Sequence, residues 1–234
     1  QAGADDAIAI DHYSELREPG TVTWGELRDG VRNLAHTLLQ LGVAPGDRVA
    51  AYMPNVPEAL TAMVATTGIG ALWSSCLPDF GVSSVLDRFR QIAPKVLIAV
   101  DGYRYGGKDF DRRDAVRQLK ESLPSVEHIV HLPYLFNDAE DTGGDGALTW
   151  AAATAPRPAG APDPLAADFA FDHPLWIVYS SGTTGLPKGM VHGHGSMLLE
   201  HLKLHAFHMN HGSDSKLFFY TTTGWVMFNL LVAA

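Results

Sequence analysis

The residues best suited to chemistry lie in one run, Tyr179-Ser180-Ser181-Gly182-Thr183-Thr184-Gly185-Leu186-Pro187-Lys188-Gly189. Within eleven residues it holds three glycines, four Ser or Thr hydroxyls and one lysine. Glycine permits positive φ and close approach of main chain to a ligand. Successive amides in such a run can form an anion-binding nest. The hydroxyls add donors and Lys188 adds positive charge, the equipment for holding a polyphosphate and stabilising a departing pyrophosphate. It is not a standard P-loop, which needs Gly-Lys-Ser/Thr opening a helix; here Pro187 precedes Lys188 and Gly189 follows it. On composition alone, a flexible Gly/Ser/Thr turn between strands is an equal reading.

The surrounding elements must position that run. Thr23 to Glu26 has the form of a capping box. Leu27, Val31, Leu34, Leu38 and Leu41 then recur at helical spacing until Gly42. Residues 48–53 read as a buried strand, and Asn55 is expected to cap a second helix with Pro57 in its first turn, running to Gly68. Further strands are predicted at 71–75, 96–100, 129–132 and 175–179, with helices at 83–92 and 111–122 and another carrying His201. Strands alternating with helices predict an α/β fold with a mostly parallel sheet and flanking helices. Residues 1–136 form the first α/β portion, 137–174 a surface connection rich in Ala, Pro, Gly and Asp, and 175–234 a second segment carrying the loop. The apolar run at 225–234 suggests that the chain continues.

Bulk properties narrow the function classes. Hydrophobic residues make up 46% and charged residues 18% of 234, a globular balance. The net charge of −9 argues against a nucleic-acid surface. No apolar run approaches ~20 residues, so no membrane span is expected. The single cysteine, Cys76, excludes an internal disulfide and fits a reducing, cytoplasmic setting. The sequence carries no signal for oligomeric state.

Sequence order adds to this. SSGTTGLPKG resembles the phosphate-binding signature of the adenylate-forming superfamily: acyl-CoA synthetases, luciferases and peptide-synthetase adenylation domains. TWGEL at Thr23, GIGALWSSCLP at Gly68 and YTTTGW at Tyr220 are similar to other motifs of that superfamily, in the same order. The likeness runs from about Ile8 onward. VHGHGSMLLEHLKLH and FFYTTTGWVMFN look most like the acetoacetyl-CoA synthetase branch, with acetyl- and propionyl-CoA synthetases as near relatives.

The resemblance implies part of a large N-terminal domain and two half-reactions: an acyl-adenylate with release of pyrophosphate, then a CoA thioester with release of AMP. It implies ATP, Mg2+ and coenzyme A, and a short keto or carboxylic acid as substrate. It assigns Ser180, Ser181, Gly182, Thr183, Thr184, Gly185 and Lys188 to the β- and γ-phosphates, with Thr184 and Lys188 closest to the chemistry. Thr221, Thr222 and Thr223 would border the nucleotide and acyl sites. Trp225, Val226 and Met227, with Phe228 beside them, would shape the acyl pocket; the competing reading is plain helix core. Arg104 would meet the 3′-phosphate of CoA; the competing reading is a solvated charged turn.

No residue of this chain is assigned to a metal. His201, His205 and His208, with His192, His194, His211 and Glu200 nearby, could offer zinc ligands, but hydrogen-bonding histidines are the better reading, with His192 or His194 lining the nucleotide pocket. Later superfamily elements, including an adenine- and magnesium-binding motif, a ribose-binding Asp and a small C-terminal domain with its catalytic Lys, lie outside this sequence. The chain alone is therefore expected not to complete adenylation. A non-catalytic nucleotide-binding module remains the alternative class.

Overall fold

The computed structural model describes residues 3–136, 146–180, 185–212 and 215–233. The chain begins with an antiparallel pair, β1 (Ile8–His12) and β2 (Gly20–Thr23). Helix α1 (Trp24–Gln40) follows through the expected capping box: Thr23 Oγ1 accepts from the Glu26 amide while the Glu26 carboxylate accepts from the Thr23 amide. It buries Leu27, Val31, Leu34, Ala35 and Leu38 on one stripe. Strand β3 (Arg48–Tyr52) leads to α2 (Pro57–Gly68). Asn55 does not cap α2; Val56 holds the cap position without a side-chain bond. Pro57 at the first helical position removes a donor that the cap would otherwise have to satisfy.

Strand β4 (Leu72–Cys76), α3 (Val82–Ile92) and β5 (Val96–Val100) come next. A hairpin of β6 (Gly102–Tyr105) and β7 (Lys108–Asp111) then precedes α4 (Arg113–Ser122) and β8 (His128–Leu132). The hairpin takes up the residues just before the predicted fourth helix, which therefore starts two residues late. Its Gly106 and Gly107, at φ +59° and +73°, make the turn a two-residue connection. Short β9 (Leu148–Thr149) and α5 (Trp150–Ala153) lie within the predicted surface connection. Strands β10 (Pro174–Ser180) and β11 (Lys188–Gly193), helix α6 (His194–Lys203), a π-helical turn (Leu204–His208) and α7 (Val226–Val232) complete the described chain. The π turn breaks the helical spacing assumed for His201, His205 and His208; Asn210 at φ +52° ends it, with the His211 amide donating to the His205 carbonyl.

The main sheet has seven strands in the order β11-β10-β4-β3-β5-β8-β9, all pairs parallel except β10–β11. Its two faces are covered by different helices. Val49, Ala51 and Met53 pack with α1, α2, α5 and Phe228 of α7. Ala50 and Tyr52, pointing the other way, pack with α3 and α4. A strand buried on both faces must be apolar throughout, as 49–53 and 96–100 are. Strand β10 joins the edge of β4, so residues beyond 174 extend the sheet begun by the first 136.

Candidate functional site

The loop run is carried by the β10–β11 hairpin. Ser180 and Lys188 are paired residues at its mouth, and Tyr179 pairs with Gly189. Ser181, Gly182, Thr183 and Thr184 lie outside the described residues. Gly185 adopts φ +110°, a conformation that a Cβ would strain, and Lys188 is exposed. Both feet are tied to α3. The Tyr179 hydroxyl donates to the Arg88 carbonyl at 2.9 Å, and the Gln91 amide donates to the Pro187 carbonyl at 2.8 Å. Burial pushes the Tyr179 phenol well above its usual range, so it stays a neutral donor. A hollow of about 560 Å3 opens between α3 and the second foot, lined by Leu86, Asp87, Arg90, Gln91, Leu186, Pro187 and Lys188.

The feet of the loop, Ser180 and Lys188, sit at the carboxyl edge of the parallel strands, where open α/β sheets bind ligands. Trp176 of β10 is level with Trp73 of β4, so Ser180 is level with Leu77, each four residues on. The Thr221–Thr223 segment reaches that edge from the far end of the chain. Thr223 is buried and its hydroxyl donates to the Met53 carbonyl at 2.8 Å, while the Ser75 hydroxyl donates to the Thr223 carbonyl at 2.5 Å. These bonds staple the segment across the ends of β3 and β4. Gly224 lies against the end of β4, where even a Cβ would make only an ordinary 3.5 Å contact with the Leu77 amide nitrogen. Thr221 is also buried and Thr222 half-buried.

Beyond Gly224 the helix α7 divides the predicted acyl-pocket residues. Trp225 and Val226 are exposed, Met227 is half-buried, and Phe228 is in the core. Trp225 lies against Phe219, ring centroids 6.1 Å apart. Phe228 thus follows the core alternative, whereas Trp225 and Val226 do not.

Arg104 stands on β6, just past the carboxyl end of β5. Its guanidinium is exposed and bonds Asp109 across the hairpin through Nε to Oδ1 at 2.6 Å and Nη2 to Oδ2 at 3.1 Å. The pairing holds the Asp109 carboxyl below its usual range. Any phosphate meeting Arg104 shares it with Asp109.

The histidines take other places than the nucleotide edge. Strand β11 runs antiparallel, so it leaves the loop at Lys188 and ends with Gly193 opposite Pro174, at the amino edge. At about 3.3 Å per residue, that run of strand puts Gly193 and its neighbours His192 and His194 roughly 15 Å from Lys188. His192 accepts from the Trp176 indole at 2.9 Å, and His194 packs against Phe169 and His173. The expectation that either lines the nucleotide pocket is therefore corrected by strand direction. Around them lies an apolar hollow of about 560 Å3, bordered by α2, α6 and α7, far from the loop. His201 stacks on Trp176, and His205 and His211 share a bond between their Nδ1 atoms at 3.1 Å. Among the described residues no three His, Cys, Asp or Glu side chains are grouped to hold a metal ion. Cys76 is buried, which pushes its thiol up to about 12 and leaves it unreactive.

Several contributors were not anticipated: Ser75 and the Met53 carbonyl, Gln91 and the Arg88 carbonyl, and the β6–β7 turn. The last had a signal, a Gly-Gly pair between alternating residues in GYRYGGKDFD.

Residues 1–233 match the family described as AMP-binding enzyme. An acetoacetyl-coenzyme A synthetase of Rhizobium meliloti (strain 1021) is 47% identical over 235 residues, covering 100% of this chain and 35% of the relative. An acetoacetyl-CoA synthetase of Rattus norvegicus is 40% identical, covering 98% of this chain and 35% of its own length. The solved structure of an acetoacetyl-CoA synthetase from Streptomyces lividans superposes with a TM-score of 0.90 at 49% identity, over 97% of this chain and 34% of that one. The chain thus spans about a third of the length of the curated relatives it matches.

Proposed function

Because this chain belongs to the AMP-binding enzyme family, we propose that it supplies the phosphate-binding part of an ATP-dependent ligase joining acetoacetate to coenzyme A. The observation that carries this is the loop mouth, Ser180 opposite Lys188, opening at the carboxyl edge beside the stapled Thr223. The names borne by the relatives support acetoacetate as the acid.

In this reading Ser180, Ser181, Gly182, Thr183, Thr184 and Gly185 turn amides and hydroxyls toward the β- and γ-phosphates. A carboxylate oxygen of acetoacetate attacks the α-phosphorus. The bond from that phosphorus to the bridging oxygen breaks, and pyrophosphate leaves with the electron pair. Lys188 and Thr184 face the charge that grows on the leaving group, where fixed donors lower the barrier most. Magnesium travelling with ATP would add further neutralisation; no residue here is assigned to hold it. Thr221, Thr222 and Thr223 line the passage between nucleotide and acid, and Trp225, Val226 and Met227 contact the acid itself. In the second step the CoA sulfur attacks the acyl carbon, AMP leaves with the carbon–oxygen electron pair, and the thiol proton goes to solvent. Arg104 receives the CoA 3′-phosphate. A cytoplasmic setting goes with this reading; among the described residues, no helix is long and apolar enough to cross a membrane.

The test is ATP–pyrophosphate exchange by the full-length protein with acetoacetate, acetate and propionate in turn. Acetoacetate is expected to support the fastest exchange, and Lys188→Ala to slow it about 100-fold, as loss of one transition-state donor does. Faster exchange with acetate or propionate would reassign the acid. Exchange with none of them, beside ATP binding, would make this a nucleotide-binding module.

A further inference from the structure

The chain after α6 carries two backbone features that neither the sheet nor the loop requires: the π-helical turn at Leu204–His208 and the left-handed Asn210 at φ +52°. π turns and non-glycine residues at positive φ are rare, and π turns occur often at functional sites. Together they fold the chain back on itself. The Met209 amide donates to the Leu204 carbonyl at 2.9 Å, and the His211 amide donates to the His205 carbonyl at 2.8 Å. On a regular helix, residues i and i+6 lie on different faces. Here the reversal sets the Nδ1 atoms of His205 and His211 3.1 Å apart, with their rings inclined by only 23°.

Two imidazole nitrogens at that spacing suit a chelate. Nitrogens about 2.0–2.1 Å from one ion stand about 2.9 Å apart in square-planar geometry and about 3.4 Å apart in tetrahedral geometry. The observed 3.1 Å lies between the two. Both rings are held from outside the pair. His205 is buried and meets His201 edge to face, and His201 stacks on Trp176 with centroids 5.8 Å apart. Beyond His211, the Gly212 amide donates to Ser215 Oγ and the Ser215 amide donates to the Gly212 carbonyl, both at 3.0 Å. His211 itself is half-buried, so an ion with its waters can reach the pair from solvent. Among the described residues no third His, Cys, Asp or Glu is grouped with them, so water must complete the coordination.

We propose that His205 and His211 form a two-histidine site for a late first-row divalent metal ion, with water in its remaining positions. Imidazole pairs favour copper(II) most, with zinc(II) and nickel(II) below it. Magnesium prefers oxygen ligands and keeps its waters, so this site is separate from the magnesium that travels with ATP. Both Nδ1 atoms must offer lone pairs to the ion. The proton held between them is therefore exchanged through solvent to the far nitrogen of its own ring, and no other bond breaks. The bound ion fastens the π turn to the start of the segment that leads to Thr221.

The test is titration of the full-length protein with copper(II), read by electron paramagnetic resonance, beside single variants. One copper equivalent is expected to show coupling to two imidazole nitrogens. Zinc(II) in excess should displace it, and magnesium should not. His211→Ala is expected to weaken binding of that equivalent about 100-fold, the low end for losing one of two linked contacts, and to leave coupling to one nitrogen. His205→Ala should do the same; should it misfold, the half-buried His211→Ala decides alone. His208→Ala removes an exposed histidine of the same run and should change neither affinity nor coupling. Absence of a two-nitrogen copper signal, equal affinity in His211→Ala, or an equal loss in His208→Ala overturns the proposal; the last result would put the ion on the exposed flank of the turn.

Discussion

Thr223 shows how much one hydroxyl can decide. It is 2% exposed and donates to a main-chain carbonyl at the end of β3, while its own carbonyl accepts from Ser75. Thr223→Val keeps the volume but leaves the Met53 carbonyl buried and unpaired, which costs about 1–3 kcal/mol. Urea denaturation should show a lower midpoint with an unchanged slope; an equal midpoint would mean that the staple carries no weight. The histidines set a second expectation at this scale. Burial lowers the proton affinity of His131, His192, His194, His201 and His205 below the ordinary value of 6.5. Depressed folded values mean that the unfolded chain binds more protons below about pH 6.5, so stability rises with pH there and is fully present above it. Denaturation midpoints should therefore fall as pH drops from 7.5 to 5.5, and His131→Asn should flatten part of that slope. A midpoint that held or rose on acidification would contradict it.

Helix α3 is the element that serves the site most. It meets the loop at both feet, through the Arg88 carbonyl and the Gln91 amide. The same C-terminal end is held by Arg48 of β3, whose Nε donates to the Ile92 carbonyl at 2.5 Å and whose Nη2 donates to the Ala93 carbonyl at 2.8 Å. Positive charge at a helix C-terminus also meets the negative end of its dipole. Arg48→Ala should cost about 1–2 kcal/mol, visible as a lower thermal midpoint, and Arg48→Lys should recover only part, since an ammonium cannot reproduce the forked geometry. A lysine variant as stable as the parent would reduce the cap to simple charge.

Across the whole molecule, order along the chain and order in space diverge. The loop at residue 180 and the threonines at 221–223 meet at one edge because β10 inserts beside β4 rather than beside β8, its nearest long predecessor in sequence. Much of this was legible beforehand. The run at 96–100 marked a doubly covered strand and 48–53 a buried one, Thr23 and Glu26 marked a helix start, and the glycines and hydroxyls around Lys188 raised the expectation of a phosphate binder. Such features are local: they follow from side-chain period, capping chemistry and the freedom of glycine, all of which act within a few residues. What the linear order left open was decided by packing at long range. Nothing near Glu15 announced that it would reach turn amides 91 and 92 residues away, and nothing near His192 announced that an antiparallel β11 would carry it to the edge opposite the loop. Strand partner and direction depend on which apolar faces can be buried together, and only the folded chain settles that competition.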